Sequence, residues 1–150
     1  MEPSLFFPHI LGMLSNGFPN LIASAKLIIV FSPSPMPTFF ITRKFNTDKG
    51  PYNCEVSPNG KYLVVTYKSA AKTGVWELNS GIELIRLKNT RRVTHGVVIS
   101  PDSRYAFVSV EGVGGEPGSV DIIDIEKLAL INHVEVGKQA GGIAFWKMSN

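Results

Sequence analysis

Cysteine is nearly absent from the sequence. The 150 residues hold one, Cys54, which excludes an internal disulfide and any metal cage built on thiolates. Histidine is scarce as well: His9, His95 and His133 lie far apart and at no ligand spacing, so no metal site is expected. No apolar run reaches the ~20 residues that a helix needs to span a bilayer. There is no G-x-S-x-G elbow and no phosphate-binding P-loop, so the residues themselves indicate no catalytic group and no cofactor. A net charge of +3 is too small to argue for nucleic acid by itself. What is present is a globular composition, 44% hydrophobic and 18% charged, which excludes a disordered or collagenous chain.

Charge is missing from one part of the chain in particular. Between Met1 and Thr42 the only charged residues are Glu2 and Lys26, and six of the ten prolines lie there. The other 25 charges fall between Arg43 and Asn150. The chain therefore divides into a hydrophobic, Pro-rich leader, residues 1–42, and a second part, residues 43–150. Leu21–Phe31 is an apolar run of 11 residues, and Pro33, Pro35 and Pro37 forbid regular structure after it. A secretory signal fits poorly: no Lys or Arg precedes the run, Lys26 interrupts it, and no A-x-A-like site comes after it. Two readings are left, a strand and loop packed on the second part or a non-native leader from a truncated frame. Asn16-Gly17 and Phe18-Pro19-Asn20 have turn chemistry that suits a loose hairpin.

The second part repeats itself. Asn53-Cys54-Glu55-Val56-Ser57-Pro58-Asn59-Gly60-Lys61-Tyr62 aligns with Gly96-Val97-Val98-Ile99-Ser100-Pro101-Asp102-Ser103-Arg104-Tyr105 at an offset of 43. Further on, Val75–Asn79 aligns with Val120–Asp124 at an offset of 45, which places two extra residues in the loop around Gly112–Gly118. A third copy begins at Gly142-Ile143-Ala144-Phe145. Each unit reads as four short strands divided by turn signals: about 52–56, 62–67, 74–79 and 82–87, then 96–99, 105–110, 119–124 and 130–136. The second strands are continuous apolar runs, the pattern of a sheet covered on both faces. Ser57, Pro58, Asn59 and Gly60, and Ser100, Pro101 and Asp102 after them, are structural turns with Pro at the second position. Ser103 stands where the first turn has Gly60 and must tolerate the same backbone.

A four-stranded unit of ~43 residues is the blade of a β-propeller. The segment Val97-Val98-Ile99-Ser100-Pro101-Asp102-Ser103-Arg104-Tyr105-Ala106-Phe107-Val108 resembles the V-x-x-S-P-D-G-x-x-x-Y-V signature of YVTN-type propellers. Ser119–Asp124 resembles their third strand, and Val136-Gly137 the close of a repeat. The expected fold is all-β: a propeller fragment of two four-stranded antiparallel blades, about 52–94 and 95–140, and a partial strand 141–147 after an irregular N-terminal segment. Relatives in that family include surface-layer and surface-antigen proteins, lactonase-like propellers, and haem- or quinone-bearing periplasmic oxidoreductases. The resemblance implies a periplasmic or extracellular location and a larger ring of about seven blades, of which this chain supplies the C-terminal ones. The implied partners are the remaining blades, or further copies of the chain meeting through exposed strand edges.

In a propeller, the loops from strand four to strand one and from strand two to strand three share one face, where ligands bind. That face collects Lys68, Lys72, Arg91, Arg92, His95, Glu111, Glu116, Lys138 and Gln139. His95 begins an inner strand beside the axis; it reads first as a histidine bonded to a neighbouring loop and second as a ligand or proton carrier. Glu111 and Glu116 read first as exposed loop carboxylates, the far commoner case, and only second as candidates for a cation. Gly112–Gly118 reads as a hairpin loop and not a dinucleotide loop, because strands and not a helix come after it. Asp124 is expected to bond the turn after it, with Asn79 in the same role one blade earlier. The leading expectation is a non-catalytic binding module. Its alternatives are one wall of a lactonase-like or haem- or quinone-dependent enzyme, and single-stranded nucleic-acid binding by a basic rim with Tyr52 and Tyr67 as stacking platforms.

Overall fold

The computed structural model describes residues 20–24, 27–33 and 39–147, with side chains from Arg43 onward. His9, the Asn16–Pro19 turn chemistry and the last three residues lie outside the described residues. Among the described residues, eleven strands form three antiparallel sheets. β1 (Asn20–Ser24), β2 (Leu27–Pro33) and β3 (Phe39–Asn46) make a three-stranded sheet in which Ser24 pairs with Leu27. β4 (Pro51–Val56), β5 (Tyr62–Tyr67), β6 (Lys72–Glu77) and β7 (Ile82–Lys88) form the first four-stranded blade in sequence order. β8 (Val93–Ile99), β9 (Tyr105–Glu111), β10 (Gly118–Asp124) and β11 (Ala129–Val136) form the second. The expected four-stranded repeat is thus present twice, within a few residues of the predicted bounds.

The blades stack through opposite faces. β4 lies beside β8, so the first strand of each blade is also its innermost. Val64 and Val75 of the first blade pack on Val97, Ile99, Ala106 and Val108 of the second, with Ile85 and Leu87 at the margin. The other face of the first blade, with Leu63, Val65, Tyr67 and Trp76, packs on Phe45 of β3. Phe45 meets Trp76 edge-on at 5.6 Å, and the Arg43 guanidinium bonds the Leu78 and Asn79 carbonyls. Both faces of β5 are covered, which is why its sequence, YLVVTY, does not alternate.

One hydrogen-bond device recurs at each joint. Thr66 on β5 accepts from the Asn53 amide at 2.9 Å and donates to the His95 carbonyl of the next inner strand at 2.7 Å. Ser109, its equivalent on β9, accepts from the Gly96 amide at 2.9 Å and donates to the Gly141 carbonyl. Gly141 thus stands to the second blade as His95 stands to the first. The residues after it do not form the expected partial strand, since no further sheet is present to complete a ladder among the described residues. They lie instead across the second blade, with Phe145 tilted on Phe107 at 6.1 Å.

The two Ser-Pro turns are built alike. The Ser57 hydroxyl accepts from the Tyr62 amide, and Asn59 accepts from Ser57 and from the Lys61 amide. Ser100 and Asp102 repeat the arrangement on Tyr105 and Arg104. Ser103 takes a φ of 64°, in the left-handed region where Gly60 has 71°. Its hydroxyl accepts from the Asn59 amide at 3.0 Å, joining the two turns across the blade boundary.

Two details of register differ from the sequence expectation. Tyr62 pairs with Glu77 and Tyr105 with Asp124, so the third strands correspond at an offset of 47 and the second loop has four extra residues. A slip of two residues keeps every side chain on its face, so the apolar pattern does not detect it. The role expected of Asn79 consequently belongs to Glu77, which accepts from the Ser80 amide at 2.6 Å. Asp124 does accept from the Lys127 amide at 3.0 Å, as expected.

Candidate functional site

The loops after β5, β7 and β9 gather at one end of the blades, the end opposite the Ser-Pro turns. The Lys68 amide bonds the Gly50 carbonyl, the Asn89 amide the Ala71 carbonyl, and Gly118 the Gly137 carbonyl. Gly50 has a φ of 69°, and a Cβ there would stand 2.4 Å from the Ser69 hydroxyl, so only glycine permits this approach.

Four side chains meet at this end of the inner strands. His95 and Tyr52 are equivalent repeat positions on β8 and β4, and their rings meet edge-on at 5.2 Å. The Lys68 ammonium lies over the Tyr52 ring, 4.5 Å from its centroid. On the other side the His95 Nε2 is 2.7 Å from the Glu111 carboxylate at the end of β9. The His95 side chain is 13% exposed and that of Glu111 26%, so the pair is sheltered and still open to solvent. A carboxylate held on one imidazole nitrogen fixes the orientation of the ring. Lys68 over Tyr52 adds a cation held by the ring quadrupole. The arrangement offers hydrogen-bond donors, positive charge and one aromatic edge in a single patch.

The remaining candidates have structural employment or stand apart. Arg91 donates to the Pro117 carbonyl at 3.1 Å and to Glu135 at 2.7 Å, and also faces Glu116 at 3.8 Å. It fastens the Gly112–Gly118 hairpin to β11. Lys72 pairs with Asp48 at 3.2 Å, beside Arg86 at 3.1 Å from the same carboxylate. The Asp48 carboxyl is held below the ordinary carboxylate range, first by the Lys49 amide and then by these cations. Arg92, Lys138 and Gln139 are exposed, and Lys138 and Gln139 line an open recess of 450 Å³ with Ser109, Val120 and Ile143. Glu111 and Glu116 are not brought together: one is on His95, the other on Arg91. Among the described residues no three His, Cys, Asp or Glu side chains converge as a metal site would require.

Tyr67 cannot act as a stacking platform. It is wholly buried, its hydroxyl accepting from the Trp76 indole at 2.8 Å and donating to Glu83 at 2.8 Å. Burial and the Glu83 carboxylate raise its hydroxyl above the ordinary tyrosine value. Cys54 is packed beside Leu63 and Val65, and desolvation pushes its thiol to about 12, far from a reactive thiolate.

A buried polar strap has little trace in the sequence. Asp121, fully buried on β10, accepts from the Asn89 side-chain amide at 3.0 Å and from the Thr90 amide at 2.9 Å. The Thr90 and Ser119 hydroxyls complete its shell. Asn89 in turn accepts from Thr73 and Thr94, both at 3.0 Å. The strap joins the two blades through the linker between β7 and β8. Its one sequence signal is an aspartate flanked by Val120 and Ile122 in the third strand.

No protein-family model matches the sequence, and no curated protein matches it. Solved structures do resemble the chain, among them three β-propeller proteins. Hydrazine synthase from Kuenenia stuttgartiensis superposes with a TM-score of 0.69 at 18% identity, over 90% of this chain and 41% of that one. A Bacteroides uniformis protein put forward as a 6-phosphogluconolactonase gives 0.57 at 22%, over 81% and 37%. The dihydro-heme d1 dehydrogenase NirN gives 0.63 at 13%, over 90% and 28%. At these identities the likeness concerns the fold, and the chain spans well under half the length of each.

Proposed function

We propose that the chain is a binding module of propeller type and that Tyr52, Lys68, His95 and Glu111 form its ligand patch. The patch suits a small anion or a carbonyl-bearing group. The observation that supports this reading is the His95–Glu111 pair. Arg91 and Lys72 are spent on holding loops, whereas this pair sits at the inner-strand ends and keeps access to solvent. A larger propeller would contribute neighbouring blades to the same end, and export to the periplasm or cell surface belongs to the same proposal.

Titration of the labelled chain with acetate, inorganic phosphate and a six-membered sugar lactone tests it by NMR. Saturable shifts of the His95 ring and the Lys68 ammonium are expected for at least one probe, and their loss in His95→Ala. Shifts at neither group with any probe overturn the patch.

The same pair favours one alternative. An imidazole oriented by a carboxylate has the form of a general base, as one wall of a lactonase-like site would require. Lactone hydrolysis that disappears in His95→Ala would establish that alternative in place of the binding reading. Nucleic-acid binding has less support, since Tyr67 is buried and Lys72 and Arg91 are paired.

A further inference from the structure

The two ring nitrogens of His95 have different surroundings. Nε2 is 2.7 Å from the Glu111 carboxylate, and a carboxylate only accepts, so in the neutral ring Nε2 carries the proton. Nδ1 is then left with its lone pair. It has no hydrogen-bond partner among the described residues, and no buried side-chain nitrogen or oxygen among them lacks one, so Nδ1 reaches solvent. The inner-strand end thus offers an acceptor to the outside.

Lys68 supplies the opposite character. It opens the short 3₁₀ turn Lys68–Ala70, whose start is fixed by the Lys68 amide on the Gly50 carbonyl. Its ammonium is paired with no carboxylate among the described residues, whereas Lys72, Arg86 and Arg91 each have one. An ammonium has donors only, and its strongest acceptors are charged oxygens. Both groups border the Tyr52 ring, whose centroid is 4.5 Å from the Lys68 ammonium and 5.2 Å from that of the imidazole.

We infer that the patch takes a short hydroxy acid, with its carboxylate on Lys68, its hydroxyl donating to His95 Nδ1 and its carbon chain on the Tyr52 ring. The inference rests on the ligand-patch reading and narrows it to one chemical class. A simple carboxylate satisfies Lys68 and leaves Nδ1 to water. An amino acid also brings a donor to Nδ1, but sets a second ammonium in the same patch as the Lys68 charge. A hydroxyl donates without charge. Glu111 is then a positioning residue: it holds the ring proton on the far nitrogen and touches no ligand.

Heteronuclear NMR of the nitrogen-labelled full chain reads the tautomer, and titration with γ-hydroxybutyrate, butyrate and γ-aminobutyrate reads the class. Circular dichroism checks that each variant folds. The neutral His95 ring should carry its proton on Nε2. γ-Hydroxybutyrate should bind about two- to tenfold more tightly than butyrate, the worth of one hydrogen bond, and γ-aminobutyrate no better than butyrate. Glu111→Ala should let part of the ring population move its proton to Nδ1 and should shrink the preference for the hydroxy acid while keeping the affinity for butyrate. Lys68→Met should abolish binding of both acids and leave the tautomer unchanged. A wild-type ring protonated on Nδ1, equal binding of γ-hydroxybutyrate and butyrate, or tighter binding of γ-aminobutyrate overturns the inference and leaves the ligand patch standing. No shift with any of the three acids also overturns it, and the acetate and phosphate titration then decides the patch separately.

Discussion

Single positions show how closely the blades are fitted. Gly74 on β6 faces the Tyr67 ring: a Cβ there would stand 2.5 Å from the Tyr67 hydroxyl and 2.5 Å from the Glu83 carboxylate. Both are held in place, Tyr67 by Trp76 and Glu83 by Arg86, so neither yields freely. Gly74→Val should lower the unfolding free energy by about 2–3 kcal/mol, the cost of overpacking a filled core. Urea denaturation measures it; a midpoint equal to that of the wild type would show that the Tyr67 hydroxyl moves aside. The packing need for such a glycine is invisible in the sequence, where Gly74 reads only as the first residue of the third strand. The structure begins the strand at Lys72, two residues before the expected start. The glycine serves the ring behind it and ends nothing.

At the scale of elements, what was legible came from periodicity and turn chemistry. The Ser-Pro turns and the apolar second strands locate eight strands, since both signals act over a few neighbouring residues. Long-range partners left no such mark. Nothing near Arg91 announces Glu135, and nothing near Lys72 announces Asp48, so residues expected to face a ligand instead hold loops. The strap from Asn89 and Thr90 to Asp121 is the strongest case, because its residues belong to two blades. Removing the carboxylate leaves buried amides and hydroxyls without an acceptor, which costs far more than the net worth of one hydrogen bond. Asp121→Ala is expected to destabilise by about 2–4 kcal/mol, and Asp121→Asn by less. Thermal denaturation gives the order; equal midpoints for both variants and the wild type would deny the strap its role.

For the molecule as a whole, the acidic side chains set the response to pH. The Asp102 carboxyl is lowered first by the Ser100 hydroxyl and then by the Arg104 amide. The Lys127 amide lowers that of Asp124, and the Lys49 amide that of Asp48. Each is more acidic folded than unfolded. Its contribution is therefore complete above the unfolded value of ~4 and is lost as pH falls through the lower folded value. Glu55 acts in the opposite sense, since its raised carboxyl takes up a proton more readily when folded. The thermal midpoint should hold above about pH 5 and decline from about pH 4 downward. Asp124→Asn should shrink that decline and Glu55→Gln steepen it, both read by calorimetry across the range. A midpoint indifferent to acid would contradict these assignments.

The joint made by Thr66 and Ser109 gives the stack a direction. Each hydroxyl receives from its own inner strand and gives to the next one along the chain, so every blade has a giving side and a receiving side. Two blades cannot trade places, and none can be turned around, without losing both ends of the relay. The side-chain requirement is small, one hydroxyl late in the second strand, and either Thr or Ser meets it. A foreign repeat with a hydroxyl at that point has the connector it needs to be spliced between these two. One without it would fit in shape and still leave the seam open.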